Sequence, residues 1–216
     1  MTASTPAVHV VDDDTAVRVA ILRFLAAAGY NACGYSSAGD FLQSAEPEST
    51  GCMILDVCMP GLGGLELQEV LSRRGWSLPI IFLTGRGDIP TSVRAIKAGA
   101  EDFLTKPIDC DAMLFAVQRA LDRECCEREQ RSRSRDLKDR FAALTPREQQ
   151  VFWRVTEGKL NKQVASDLSI AERTVKLYRH GAMEKLHART LAQLIRMADQ
   201  LNADAAAESL AGSAMR

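Results

Sequence analysis

The sequence predicts two domains of different classes. The first is an α/β doubly wound five-stranded parallel sheet, and the second is an all-α domain of four helices, joined to the first by a helical linker. Strand-like and helix-like segments alternate five times in about the first 120 residues, a pattern typical of a parallel sheet covered on both faces. After residue 140 the apolar residues recur only at helical spacing. Acidic side chains outnumber basic ones over 1–120, and the reverse holds over 141–216.

Composition places the chain among globular proteins. Its 216 residues are 46% hydrophobic and 25% charged, with a formal net charge of -1, which suits two modest domains. No stretch is long and apolar enough to span a bilayer, and the start of the chain lacks the layout of a signal peptide, so a cytoplasmic protein without a membrane partner is predicted. The six cysteines show no C-x-x-C spacing, which disfavours a zinc site or a disulfide framework.

The strands of the first half are short apolar or β-branched runs, and the helices repeat apolar residues at helical spacing. Val17, Ile21 and Leu25 show this spacing before Gly29 ends the first helix. The predicted strand and helix pairs are 8–11 with 15–28, 31–35 with 40–45, 52–55 with 65–74, 80–83 with 90–98, and 102–104 with 109–121.

One carboxylate stands at the end of the third predicted strand. The apolar run 53–55 leads directly to Asp56, and Pro60 and Gly61 then turn the chain away. We therefore expect Asp56 at the exposed rim of a buried parallel strand, where open α/β sheets bind their ligands. Taken alone, an Asp in this position is equally typical of a residue that caps the next helix.

The ends of three other predicted strands carry further polar residues: Asp12 and Asp13, Thr84, and Lys106. Because the carboxyl ends of parallel strands meet at one edge, we expect these side chains near Asp56. Together they supply an ionised nucleophile in Asp56, two carboxylates to hold Mg²⁺, and a lysine and a hydroxyl to bind phosphate oxygens. Each residue by itself also fits an ordinary solvated helix start or turn.

These residues resemble the receiver domain of two-component response regulators, which has a flavodoxin-like fold, over residues 8 to about 122. The motifs that carry the resemblance are V-V-D-D-D at 10–14, L-D-V-C-M-P-G at 55–61, L-T-G at 83–85 and D-F-L-T-K-P at 102–107. The resemblance implies Mg²⁺-dependent transfer of phosphate from a sensor histidine kinase to Asp56. It also implies that the metal is held by Asp13 and Asp56, by Asp12 through water, and by the carbonyl of Cys58.

The same resemblance implies a conformational switch. Thr84 would move toward the phosphate and Phe103 would follow it inward, which rearranges the face made by the predicted helix 90–98, the last strand and the next helix. A phosphorylation-dependent homodimer formed through this face is the implied result. Lys106 would be followed by a cis-linked proline that aims its ammonium group at the phosphate.

An enzyme acting on small phosphorylated substrates is the alternative for this half. Phosphatases similar to the haloacid dehalogenases also use an Asp at a strand end, but a second Asp two residues later serves as their acid and base. Cys58 occupies that place here, so a general acid is missing. A regulatory protein, with only phosphotransfer to itself and loss of that phosphate, is therefore predicted.

Residues 123–140 are rich in charge and contain neither Gly nor Pro. They either extend the preceding helix as a semi-rigid rod or form a solvated linker. The tail 203–216 is rich in Ala, Gly and Ser, and with little to bury it is expected to be disordered. These segments set the predicted limits of the first domain at 1–122 and of the last at 141–202.

The second half predicts a helix-turn-helix domain. Thr145, Pro146 and Glu148 form a clear helix start, and the first helix ends at Gly158. A short helix over 161–168, a tight turn and a longer basic helix over 172–186 follow, an arrangement whose second helix enters the major groove of DNA. The last predicted helix, 190–201, carries an apolar stripe that serves either as core or as a dimer seam.

Residues 141–202 resemble the LuxR-type DNA-binding domain, and the whole chain resembles a response regulator of the FixJ/NarL type. The motifs are T-P-R-E at 145–148, Gly158, N-K at 161–162, Ala165 and R-T-V-K at 173–176. The predicted readers of base edges are Lys176, Leu177 and His180. The predicted phosphate contacts are Lys162, Arg173, Thr174 and Arg179. A merely solvated basic face is the alternative.

The predicted function is that of a DNA-binding transcription regulator activated by phosphorylation. Its expected partners are a sensor histidine kinase, double-stranded DNA, a second copy of the chain and, in transcription, RNA polymerase. The alternative is a phosphate-independent regulator that uses the receiver for dimerisation alone. An RNA-binding antiterminator would need a different three-helix pattern from the one present.

Overall fold

The structure of the chain, a computed structural model, describes residues 6–45, 49–85, 96 and 99–214, with the backbone alone for 207–214. The first half contains the predicted five-stranded parallel sheet, with strand order β2-β1-β3-β4-β5. The strands are β1 (Ala7–Val11), β2 (Ala32–Tyr35), β3 (Gly51–Asp56), β4 (Ile80–Thr84) and β5 (Asp102–Thr105). The α/β fold class is therefore confirmed.

Helices cover this sheet on both faces. They are α1 (Thr15–Ala27), α2 (Ala38–Ser44), α3 (Gly64–Arg73) and the first part of α4 (Cys110–Ala142). The helix predicted over 90–98 lies outside the described residues. The connections through α1, α2 and α3 each run from a strand through a helix to a parallel strand, which returns successive strand ends to the same edge of the sheet.

The two faces of the sheet have separate cores because successive side chains of a strand point to opposite sides. Leu55 and Phe82 lie in register on one face and pack against Phe41 of α2 and against α3. Ile54 and Ile81 lie on the other face and pack against α1 and α4. All five of these side chains are fully buried, so the strands are held in fixed relative positions by close packing.

Helix α4 runs without a break for 33 residues and includes the whole of the predicted linker. The helical alternative for 123–140 is therefore the observed one. Ion pairs four residues apart support the exposed part, as in Arg123–Glu127 and Arg133–Glu129. The chain divides into two compact units inside this helix, Met1–Arg128 and Glu129–Arg216, and each is described by itself.

The second unit is entirely helical. After the last turns of α4 come α5 (Pro146–Thr156), α6 (Asn161–Leu168), α7 (Glu172–Lys185) and α8 (Leu191–Ala214). The capping box predicted at the start of α5 is present, with Thr145 and Glu148 satisfying each other's backbone N–H groups. In the described part of the chain, no helix has the length and apolar character needed to cross a membrane.

The last helix agrees with one of the two alternatives predicted for its apolar stripe and corrects the prediction made for the tail. Its apolar stripe belongs to the core of this unit, since Leu194 and Leu201 are buried together with Leu137 of α4. The helix also continues to Ala214, which corrects the expectation of a disordered tail over 203–216. Asp204, held by Ser134 and close to Lys138, extends the packing past Leu201, and the following alanines favour continuation of a helix that is already nucleated.

Candidate functional site

Three carboxylates meet at the carboxyl edge of the sheet. Asp12 follows β1 and Asp56 ends the neighbouring β3, so the register of these strands brings both together with Asp13. One oxygen of each lies within 4.8 Å of the others. Asp12 is 0% exposed and Asp56 only 6%, which corrects the expectation of an exposed rim for Asp56. Asp13 alone faces solvent.

Lys106 binds two of these carboxylates. Its ammonium group donates to Asp12 Oδ2 at 2.7 Å and to Asp56 Oδ2 at 3.0 Å. The carbonyl of Thr84 accepts the Lys106 N–H at 2.7 Å, so the end of β4 fixes the backbone of the lysine. The peptide bond that joins Lys106 to Pro107 is cis, as the resemblance implied.

For both Asp12 and Lys106, burial and hydrogen bonding have opposite effects on the pKa. Burial raises the pKa of the Asp12 carboxyl, and the hydrogen bond from Lys106 works against that rise. Burial of the ammonium group works to lower the pKa of Lys106, but hydrogen bonds to Asp12 and Asp56 prevail and raise it. Lys106 is therefore a permanent cation at neutral pH.

The donor set of this cluster fits Mg²⁺. The ion prefers carboxylate oxygens and keeps several waters, which three carboxylates at a solvent edge allow. Backbone groups orient two of them: the N–H of Asp14 donates to Asp12 at 2.8 Å and the N–H of Cys58 donates to Asp56 at 3.2 Å. A role for the carbonyl of Cys58 as a ligand stays a prediction.

Two nearby residues have roles that sequence reasoning did not assign. Asp14 caps α1 by accepting the N–H groups of the next turn, so the third Asp of the acidic run serves the helix. Arg18, one turn into α1, donates to the carbonyl of Asp12 at 2.5 Å and to the Thr15 hydroxyl at 3.1 Å. The spacing of Arg18 in the sequence does not indicate the first of these contacts, because its acceptor is a backbone carbonyl six residues earlier and outside the helix.

The two predicted switch residues lie on adjacent strands. Thr84 ends β4 and is 3% exposed, at the same edge as Asp56. Phe103 pairs with Phe82 across β4 and β5, with ring centroids 6.3 Å apart, and is half-buried. Gly64 allows α3 to approach the end of β3 closely, since a Cβ there would lie 2.4 Å from the carbonyl oxygen of Asp56.

In the second unit, α7 presents most of the predicted DNA contacts to solvent. Arg173, Lys176, Leu177 and His180 are exposed, and Leu177 keeps 66% of its surface exposed although it is apolar. Lys162 at the start of α6 is also exposed. These side chains form a basic surface with an apolar centre, which suits contact with DNA.

Two of the predicted phosphate contacts are less accessible. Thr174 is half-buried in the first turn of α7, and its N–H donates to the carbonyl of Ala171 at 2.9 Å. Arg179 is half-buried as well, and it donates to Asn161 Oδ1 at 3.1 Å. The structure therefore separates Arg179 from the exposed basic residues of the same helix.

A buried carboxylate ties α7 to α5. Glu148 accepts from Lys185 at 2.7 Å and from both the N–H and the hydroxyl of Thr145. Burial works to raise its pKa, but these hydrogen bonds prevail and hold the pKa of Glu148 below its ordinary value. Gly181 belongs to this contact, since a Cβ there would lie 2.5 Å from Glu148 Oε1. A glycine that weakens the helix on propensity alone thus makes room for an interhelical ion pair.

Comparison with known families agrees with both halves of the chain. Residues 8–118 match the model of the response regulator receiver domain, and residues 142–198 match that of the bacterial regulatory proteins of the luxR family. Nodulation protein W of Bradyrhizobium diazoefficiens is 46% identical over 204 residues, which cover 94% of this chain and 90% of that protein. Transcriptional regulatory protein FixJ of Azorhizobium caulinodans is 42% identical over 191 residues, covering 88% and 90%.

Solved structures show the same relationship. The response regulator StyR is similar with a TM-score of 0.84 and 43% identity, over 91% of this chain and 100% of that chain. Full-length FixJ from B. japonicum is similar with a TM-score of 0.56 and 34% identity, over 93% and 98%. The chain therefore belongs to the two-component response regulators, in which a receiver domain is joined to a LuxR-type DNA-binding domain that regulates transcription.

Proposed function

We propose that this regulator is activated when Asp56 accepts phosphate from a sensor histidine kinase. The observation that carries the proposal is the contact of Lys106 with both Asp12 and Asp56, at an edge where three carboxylates converge. In this proposal the receiver spans 1–122, the linker 123–140 and the DNA-binding domain 141–202. The cytoplasm is the proposed location.

Each residue of the site has a separate role in the transfer of phosphate. An Asp56 carboxylate oxygen attacks the phosphorus atom of the kinase's phosphohistidine. The P–N bond breaks as the new O–P bond forms, and the imidazole leaves with the bonding electron pair and takes a proton from solvent. Bound Mg²⁺, held by Asp12, Asp13, Asp56 and the Cys58 carbonyl, would neutralise charge on the phosphoryl oxygens. Lys106 then binds one phosphoryl oxygen. Its present contacts with Asp12 and Asp56 hold the ammonium group within reach of that oxygen.

Phosphate on Asp56 would change the positions of neighbouring side chains. Thr84 offers a hydroxyl from the end of β4, and its movement toward the phosphate opens space into which Phe103 can turn. Phe115 of α4 is 66% exposed under the guanidinium of Arg119, whose carbon lies 5.8 Å from the ring centroid. A receiver homodimer formed upon phosphorylation would cover this ring.

Dimerisation would strengthen DNA binding by pairing two recognition helices. Lys176, Leu177 and His180 would read base edges in the major groove, while Lys162, Arg173 and Thr174 contact phosphates. Joining two such units raises the effective concentration of the second for its half-site. Promoter-bound protein would then be placed to meet RNA polymerase.

Sedimentation velocity with and without Mg²⁺ and beryllofluoride, a mimic of the aspartyl phosphate, tests the proposal. We expect a shift from monomer to dimer in the wild-type protein and none in Asp56→Ala. Asp199→Ala, which removes an exposed carboxylate from α8 of the second unit, serves as the matched control and should shift normally. A shift retained by Asp56→Ala would contradict the proposal and favour a phosphate-independent regulator.

A further inference from the structure

The recognition helix α7 carries its basic residues on two different faces. At about 100° per residue, Arg173, Leu177 and His180 fall within roughly 60° of one another and form the exposed face. Arg179 falls about 40° from Val175, which is 0% exposed, and about 160° from Leu177. Arg179 therefore points toward the body of its own domain, away from Arg173, Leu177 and His180. The exposed Lys176 lies between the two faces, about 60° from Arg179.

The partner of Arg179 is the first residue of the neighbouring helix. Its Nη1 atom donates to Asn161 Oδ1 at 3.1 Å, and both side chains are half-buried. Asn161 begins α6, and the next residue, Lys162, is exposed. One hydrogen bond thus joins the helix that carries the base readers to the start of the helix that carries a phosphate contact.

A second polar contact holds the far end of α7. Lys185 donates to Glu148 of α5 at 2.7 Å. On the N-terminal side of Arg179, Val175 and Tyr178 of α7 pack with α5 and α6 in an apolar core. The hydrogen bond from Arg179 to Asn161, at 3.1 Å, adds a directional contact to this apolar packing and ties the middle of α7 to the first turn of α6.

We infer that Arg179 is a positioning residue for DNA recognition: it fixes α7 against α6 through Asn161 and makes no contact with phosphate. This inference rests on the proposed DNA-reading face of α7. It replaces the expectation, drawn from sequence, that Arg179 binds the DNA backbone. Sequence-specific binding needs the correct angle of α7 in the groove, whereas non-specific binding depends mainly on positive charge. Loss of the contact should therefore weaken sequence-specific binding and leave non-specific binding unchanged.

The experiment uses the full-length chain with Mg²⁺ and beryllofluoride. The two DNA probes are a duplex enriched by the wild-type protein from a random-sequence pool and a duplex lacking the enriched sequence. Dissociation constants are measured over a range of salt concentrations for Arg179→Met, Asn161→Ala and the double variant. Arg173→Met is the matched control, since it removes the same charge from the exposed face of the same helix. Thermal unfolding by circular dichroism establishes that each variant is folded.

For the two positioning variants we expect the selected duplex to bind about five- to tenfold more weakly, with the salt slope and the affinity for the other duplex unchanged. The double variant should be no weaker than the weaker single variant, because both remove one contact. Arg173→Met should instead lower the salt slope by about one unit. A slope lowered by Arg179→Met, or losses that add in the double variant, would overturn the inference.

Failure of the proposed DNA reading has a different signature. If the wild-type protein enriches no duplex, the proposed function is wrong and the contact is judged from unfolding alone. Non-additive losses of thermal stability in Arg179→Met and Asn161→Ala would then support a positioning contact between α6 and α7. Fully additive losses would refute it.

Discussion

Replacing Lys106 with Met should destabilise the receiver by leaving two carboxylates without their cation. The lysine lies 2.7 Å from Asp12 and 3.0 Å from Asp56, and it keeps only 20% of its side chain exposed. At an effective dielectric constant near 20 each contact represents an attraction of about 6 kcal/mol, most of which is offset by desolvation. Removing one partner of such a buried pair costs about 3–5 kcal/mol, and the partial exposure favours a value of about 3 kcal/mol.

The loss should depend on pH with a defined sign. Without the ammonium group, the buried Asp12 carboxylate binds a proton more readily in the folded state than in the unfolded one. A folded-state pKa raised in this way makes the penalty largest at pH 7.5 and smaller as the pH falls toward 5. Added Mg²⁺ should also restore part of the loss, because a ligand that binds only the folded state stabilises it.

Urea unfolding followed by tryptophan fluorescence measures the effect. The chain has 2 tryptophans, and a Trp153→Phe background leaves Trp76, which contacts Phe41 with ring centroids 5.8 Å apart, as a reporter of the receiver. Arg23→Met, on the exposed side of α1, removes the same charge away from the cluster and should cost little. Equal stability of Lys106→Met and the wild type in EDTA at pH 7.5 would refute the electrostatic reasoning, as would a loss that grows toward pH 5.

Three further outcomes are expected. Burial lowers the pKa of His9, whose Nε2 atom has no hydrogen-bond partner among the described residues. The wild-type receiver should therefore lose stability as the pH falls below about 6.5, and His9→Phe should abolish that loss in urea midpoints measured against pH. Identical pH profiles would contradict this. Leu137→Ala should destabilise the second unit by about 2–3 kcal/mol in thermal unfolding, because Leu137 is 7% exposed in its core, whereas the exposed Ser132→Ala should be neutral. Glu148→Gln should cost that unit about 1 kcal/mol at pH 7, a modest value since Lys185 keeps 40% of its side chain exposed. The lowered pKa of Glu148 means that this difference disappears as the pH falls through the folded-state pKa, and a difference that does not shrink as the pH falls would rule out the ion pair as its cause.

Local patterns were sufficient for most of the secondary structure. Asn161–Leu168 was predicted with its observed bounds, because it is delimited by a turn on each side. The capping box of Thr145 and Glu148 was predicted because both partners lie within one helical turn. The continuation of α8 to Ala214 was missed because low apolar content was taken to indicate disorder, although alanine favours helix strongly.

For the site as well, one feature was predicted from the sequence and another was not. Alternation of strands and helices predicted that Asp12, Asp13, Asp56, Thr84 and Lys106 would meet at one edge, since parallel strands return their carboxyl ends to the same side. The burial of Asp56 did not follow from that pattern, because it depends on the side chains that neighbouring strands bring over it.

By itself, the sequence determined the order of the elements, the edge at which the acidic residues gather and the helix-turn-helix, because these follow from spacings within one or two turns or strands. Only the tertiary structure decided which polar groups bind one another. The contacts of Lys106 with Asp12, Glu148 with Lys185 and Arg179 with Asn161 join residues that are 94, 37 and 18 positions apart. Such partners are chosen by the packing of helices and strands, which places two side chains within 3 Å or keeps them apart, and no local pattern records that choice.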